Sequence, residues 1–173
     1  MEFEDLLELA RDSYLEQFAT FVDKQRTLSE KGAIELKLEV PEEGGFYRNY
    51  YCADYATDGE MLELQSEEEV TFDTIEVTLG DMDMVISRLV WDDITIKAGD
   101  KAVSGDDFSE WFETWFDPEE TTFDPDTRFS ACIHSLRVDE AGVSVDFGTA
   151  PITALADLLM RFESLGCRSL SVS

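Results

Sequence analysis

The sequence predicts an α+β protein: a mostly antiparallel sheet of about six to eight strands covered by about three helices. Three observations predict it. Apolar residues recur at three- and four-residue spacings in three stretches, near each terminus and around residue 110. Between those stretches apolar and polar residues alternate in short runs. Turn pairs such as Asp58-Gly59 and Gly80-Asp81 divide the runs.

The elements follow in order. Over residues 2–26, Phe3, Leu6, Leu7, Ala10, Tyr14, Phe18 and Phe21 form a helical stripe. Its first turn is acidic, and Lys24 and Arg26 suit the other end of the helix dipole. Ile34, Leu36, Leu38 and Val40 alternate with Glu35, Lys37 and Glu39, as in a strand with one wet face. Pro41 to Gly45 reads as a turn. Residues 46–56 read as extended and 70–79 as a strand with a slip near Asp73-Thr74. Residues 84–91 and 94–97 continue an antiparallel meander. Phe108, Trp111, Phe112, Trp115 and Phe116 lie on one side of a helix over 104–116, which Asp117-Pro118 stops. An acidic loop over 117–127 follows. Residues 131–138 and 143–147 form two strands. Pro151 then opens a last helix through Leu165 with Thr149 as N-cap, Gly166 ends it, and 167–172 add a strand.

At 173 residues the chain predicts one domain, 1–173: the helix 2–26, a strand-rich acidic middle 33–127, and a near-neutral ββαβ tail 128–173. Apolar residues make up 43% and aromatics 12%, which excludes a disordered acidic tail. Cys52, Cys132 and Cys167 are odd in number and widely spaced, so they predict reduced buried thiols. The acidic start, Met1-Glu2-Phe3-Glu4-Asp5, has no signal-peptide pattern, and no run approaches the ~20 apolar residues of a membrane span. A cytoplasmic location is expected.

Charge is the strongest functional signal. The chain has 40 acids, 13 bases and a formal charge of −27. Residues 54–126 hold 23 acids and three bases, whereas 128–173 hold five acids and four bases. Direct contact with nucleic acid or anionic membrane is disfavoured by repulsion.

Catalytic signals are weak. His134, the one histidine, shares a strand face with Cys132, so the two could ligate a metal or form a thiol–imidazole pair. A hydrogen-bonded strand histidine is favoured, because no second CxH or HxxxH pattern accompanies it. Asp81-Met82-Asp83 starts like a calcium loop but lacks its central Gly and final Glu. Gly44-Gly45 and Gly142 to Gly148 fit no phosphate loop, and Asp146-Phe147-Gly148 has no kinase context. No enzyme activity, cofactor or metal is expected.

All three tryptophans fall within the acidic middle, and an aromatic anchor flanked by charge is a common binding arrangement. The expected partner-binding residues are Trp91, Asp92, Asp93, Asp106, Asp107, Glu110 and Glu113, with core packing the competing role for the tryptophans. Four readings fit the charge: an inhibitor of a cationic protein, a DNA mimic, a halophile protein, and an enzyme for a cationic substrate. The neutral tail argues against halophile adaptation, and the enzyme reading lacks a nucleophile or base.

Ile133-His134-Ser135, then Val145 to Pro151, then a Leu-rich helix ending at Leu165-Gly166 resemble the C-terminal part of small bacterial immunity proteins encoded beside secreted toxins. The resemblance covers residues 133–166 and transfers no individual binding residue. It implies a stoichiometric inhibitor without a cofactor, whose partner is a basic cognate toxin.

Overall fold

The computed structural model describes residues 1–41 and 44–173, so Glu42 and Glu43 of the expected turn lie outside it. The elements in chain order are α1 (Phe3–Leu28), β1 (Ala33–Glu39), β2 (Tyr50–Thr57), β3 (Glu60–Leu62), β4 (Ile75–Leu79), β5 (Met82–Ile86), β6 (Ile94–Ala98), α2 (Ser109–Trp115), β7 (Ser135–Asp139), β8 (Gly142–Asp146), α3 (Ile152–Ser164) and β9 (Ser169–Val172). Single 3₁₀ turns, Tyr47–Asn49 and Gly105–Phe108, lead into β2 and α2. This is the expected α+β class, with three helices and, among the described residues, nine strands, one more than the expected range.

α1 forms where its stripe predicts. Glu2 and Asp5 exchange bonds in a capping box, which satisfies N–H groups that the first turn leaves without helical partners. Leu6, Leu7, Ala10, Tyr14, Phe18 and Val22 are buried. α3 buries Ala154, Leu155, Leu158, Leu159 and Phe162, and all three helices share one core cluster with the sheet. Thr149 does not cap α3. Pro151 occupies that position, and the Thr149 hydroxyl bonds Glu35 instead.

The strand order is β1-β2-β7-β8-β6-β9-β5-β4, with β3 paired to β2. Local hairpins are therefore interleaved rather than laid out as a meander. β9 pairs parallel with β5 and antiparallel with β6, and the other pairings are antiparallel. β4 starts only at Ile75, leaving residues 63–74 as a segment without ladder pairing, and β5 ends at Ile86.

Position in the sheet does not by itself separate the acidic middle from the neutral tail. The tail strands β7, β8 and β9 each have a neighbour on both sides, and so do β5 and β6 of the acidic middle. Acids of the middle lie on connections and edges at both ends of the sheet. Glu76 sits on edge strand β4, whereas Glu119 to Asp126 follow Asp117, whose carbonyl accepts a bond from Lys37 of β1 at the other edge. Acids of the middle thus occupy opposite ends of the sheet and do not form one continuous patch.

Candidate functional site

The residues expected to bind a partner divide among separate local roles. Trp91 is 1% exposed, lies 5.0 Å from the Phe147 ring, and donates its indole N–H to Gly148 O at 3.0 Å. It is a core residue, which removes it as a surface anchor. Trp111 also packs on Phe147 and donates to Ala154 O, while Trp115 is half-buried and bonds Asp157. Asp92 is half-buried and accepts a bond from Ser66, and Asp93 pairs with Arg88. Asp107 caps the turn before α2 through Ser104, and Glu113 pairs with Arg48. Asp106 and Glu110 are exposed. The structure does not gather these seven residues into one site.

A different constellation is gathered. His134 lies just before β7, 1% exposed, among carboxylates from three strands. Its Nε2 is 2.7 Å from Glu35 Oε1 of β1. Its Nδ1 is 2.8 Å from Asp54 Oδ1 of β2 and 4.0 Å from Asp146 Oδ1 of β8. Cross-strand register brings the acids together: Ile34 opposes Tyr55 and Leu36 opposes Ala53, so Glu35 stands across from Asp54. Thr149 Oγ1 and the Ser130 N–H donate to Glu35. A side chain at Gly148 (φ +49°) would strike the His134 ring, so this position requires glycine.

Alternation along β1 predicts Glu35 on the wet face of its strand. It is in fact the one fully buried residue of β1, turned inward by a positive φ of 52°. A non-glycine residue there costs about 1–3 kcal/mol, which its bonds to His134, Thr149 and Ser130 must offset. Alternation carries no sign of such a turn. The favoured reading of His134, a hydrogen-bonded histidine, fits its bond to Glu35.

Electrostatics couple the cluster. Burial opposes charge on His134, yet the carboxylates of Asp54, Glu35 and Asp146 hold its pKa well above the ordinary imidazole value. Burial likewise opposes charge on Glu35, but His134, Thr149 and Ser130 hold its pKa below the usual carboxylate range. Asp146 is pushed up to about 7 by loss of solvation and by repulsion from Asp54, against the pull of His134. Glu63, exposed at the groove above Asp54, is pushed up to about 8 by partial desolvation and by the Asp54 charge.

Among the described residues two donor sets could hold a metal ion: Cys52, Cys132 and His134, or Asp54, His134 and Asp146. Both use His134, so they compete for one imidazole. Cys52, Cys132 and Cys167 are free and buried as expected, and burial raises the Cys52 pKa. Among the described residues no helix is long and apolar enough to cross a membrane. Comparison with protein families, with curated proteins and with solved structures finds no match for this chain.

Proposed function

We propose that this chain is an immunity-type inhibitor, a cytoplasmic protein that neutralises a basic protein toxin, such as a nuclease, by stoichiometric contact. The observation that carries the reading is an acidic groove of about 580 Å³ between α1 and the 63–68 segment. Among the described residues, Glu16, Glu63, Glu67 and Glu68 line it against a single cation, Lys24. Gln17 on α1 holds the far wall by accepting the Glu67 and Glu68 N–H groups and donating to Glu68 O.

Several exposed carboxylates face solvent, whereas arginines 48, 88, 128 and 168 are already engaged with acids on this chain. With a formal charge of −27, the surface attracts a cationic partner over the ~8 Å screening length of physiological salt, and over a longer range at lower salt. The groove then supplies a concave contact, a role the buried Trp91 does not fill.

The deciding experiment mixes the chain with the protein encoded beside its gene and follows binding by calorimetry and stopped flow. A 1:1 complex whose association slows with salt, and slows further in Glu67→Lys/Glu68→Lys, supports the reading. Absence of a complex at low salt overturns it. Displacement of the chain by duplex DNA from a DNA-binding partner would favour the DNA-mimic reading instead.

A further inference from the structure

Among the described residues, three buried side-chain polar atoms lack a hydrogen-bond partner: Tyr14 Oη, Asp54 Oδ1 and His134 Nδ1. They belong to one neighbourhood. Asp54 Oδ1 and His134 Nδ1 lie 2.8 Å apart without the alignment of a hydrogen bond, and Asp146 and Asp54 are the charges that act most strongly on Tyr14. Buried polar atoms are almost always paired, so a coincident set of orphans points to a missing occupant. The charge there is unbalanced as well: three carboxylates, Glu35, Asp54 and Asp146, surround one imidazole.

We propose that Asp54, His134 and Asp146 form a site for a divalent first-row transition ion, with Glu63 of the groove an outer carboxylate beside Asp54. Donors on ~2.1 Å bonds sit ~3 Å apart at a right angle and ~4.2 Å apart when opposite. The separations from His134 Nδ1, 2.8 Å to Asp54 Oδ1 and 4.0 Å to Asp146 Oδ1, both fit one such ion, and the three atoms lie within 4.8 Å of one another.

The surroundings have the arrangement that fixes metal ligands. A metal-bound histidine normally gives its other ring N–H to a carboxylate. Nε2 lies 2.7 Å from Glu35, which Thr149 and Ser130 hold in turn. Asp54 spends Oδ2 on the Leu64 N–H at 2.7 Å, leaving Oδ1 for the ion. Asp146 Oδ1 accepts the Gly148 N–H at 2.8 Å and keeps a second lone pair. One imidazole with carboxylates suits manganese, iron or zinc rather than the softer ions that thiolates select. Glu63 lines the acidic groove, so an ion approaches through negative potential. Binding through Nδ1 displaces the proton there, and the ion's charge replaces that of the imidazolium between the carboxylates.

The test uses the full chain stripped with chelator and titrated with Zn²⁺, Mn²⁺ and Co²⁺. One ion per chain is expected, with a rise in Tm that chelator reverses. Asp54→Asn should abolish binding. Glu63→Gln, at an exposed position where folding is not at risk, should weaken it about tenfold or more. Cys52→Ser/Cys132→Ser should bind as well as the parent, and the Co²⁺ adduct should lack thiolate-to-metal charge-transfer absorption. Absence of binding by the folded chain overturns the proposal. So does loss of binding in the cysteine variant, or a thiolate band with Co²⁺, either of which would assign the ion to Cys52 and Cys132.

Discussion

Around α2 the carboxylates face water and are finished locally. Asp107 closes a capping box, Glu113 meets Arg48, and Asp106 and Glu110 are solvated. Around His134 the carboxylates face one another, and among the described residues the imidazole is the one group that pairs with Glu35, Asp54 and Asp146. The same two residue types thus have opposite energetics. A solvated acid contributes a few tenths of a kcal/mol whichever way it is changed, about 0–1 kcal/mol when paired. A buried acid is held only while its partner remains. The number of acids therefore says nothing about which of them matter, whereas their depth does.

The sharpest break of this comparison is His134→Ala. It leaves Glu35 and Asp54 buried with no countercharge, and removing one partner of a buried pair costs about 3–5 kcal/mol. Urea unfolding of the metal-free chain should show a loss of that size. A loss below about 1 kcal/mol would mean the cluster is wetter and looser than its geometry says.

A pH series separates the two regions next. Asp146 is raised from its ordinary range near 4 to about 7, so the native state keeps a proton that the unfolded chain releases. Stability from this group is full below about pH 4 and is lost as pH rises to about 7. His134 is also raised, so its contribution is full below about 6.5 and declines above its folded value. Glu35 and Asp117 are lowered and act with the opposite sign, their contribution being lost as pH falls below the ordinary carboxylate range. The metal-free chain should therefore be more stable in mild acid than at pH 8, as read from urea midpoints. Overall repulsion has the same sign, so Asp146→Asn is the control: its decline between about pH 4 and 7 should be shallower. An unchanged slope would return the effect to net charge.

Much of the fold was legible in the sequence. α1 and α3 appeared as stripes, and the pairs Asp58-Gly59 and Gly80-Asp81 do turn hairpins. Strand order was not legible, because the pairing of β9 between β6 and β5 is decided by packing across the whole chain and not by any local pattern. The buried cluster was half visible. His134 and Cys132 stood out by rarity, but Asp54 and Asp146 were two acids among 40, and Glu35 needed a left-handed backbone to turn inward. Trp91 beside two aspartates looked like an anchor, yet alternation has no symbol for an indole N–H satisfied by a distant carbonyl such as that of Gly148.

Asp117 lies between the two regimes and tests whether depth alone decides. It is buried at a positive φ of 50°; Lys37 bonds its backbone carbonyl, and among the described residues its carboxylate makes no ion pair. Its two oxygens accept four bonds, from the N–H and hydroxyl groups of Thr121 and Thr122. Those bonds hold its pKa far below the ordinary carboxylate range in spite of burial. Asp117→Ala loses the whole set where the loop leaves α2, and the loss should be about 1–2 kcal/mol, the scale of a helix cap. Asp117→Asn, which tolerates the left-handed backbone and retains one acceptor oxygen, should lose less. Equal losses would mean that charge, and not the bonding pattern, sustains the turn.

The smallest effect belongs to the surface the sequence first pointed to. Asp106→Lys/Glu110→Lys changes two exposed side chains that make no ion pair among the described residues. Its folding stability should shift by no more than about 0.5 kcal/mol, as is usual for solvated positions. The same change raises the net charge by four units, which weakens long-range attraction to a cation wherever docking occurs. Stopped-flow association with a basic partner should therefore slow at low salt and converge on the parent at high salt. The dissociation rate separates steering from contact. If the acidic groove is the docking surface, dissociation stays unchanged in this variant but quickens in Glu67→Lys/Glu68→Lys. If dissociation quickens in the α2 variant instead, the contact surface lies on α2 and the groove serves only the buried cluster beneath it.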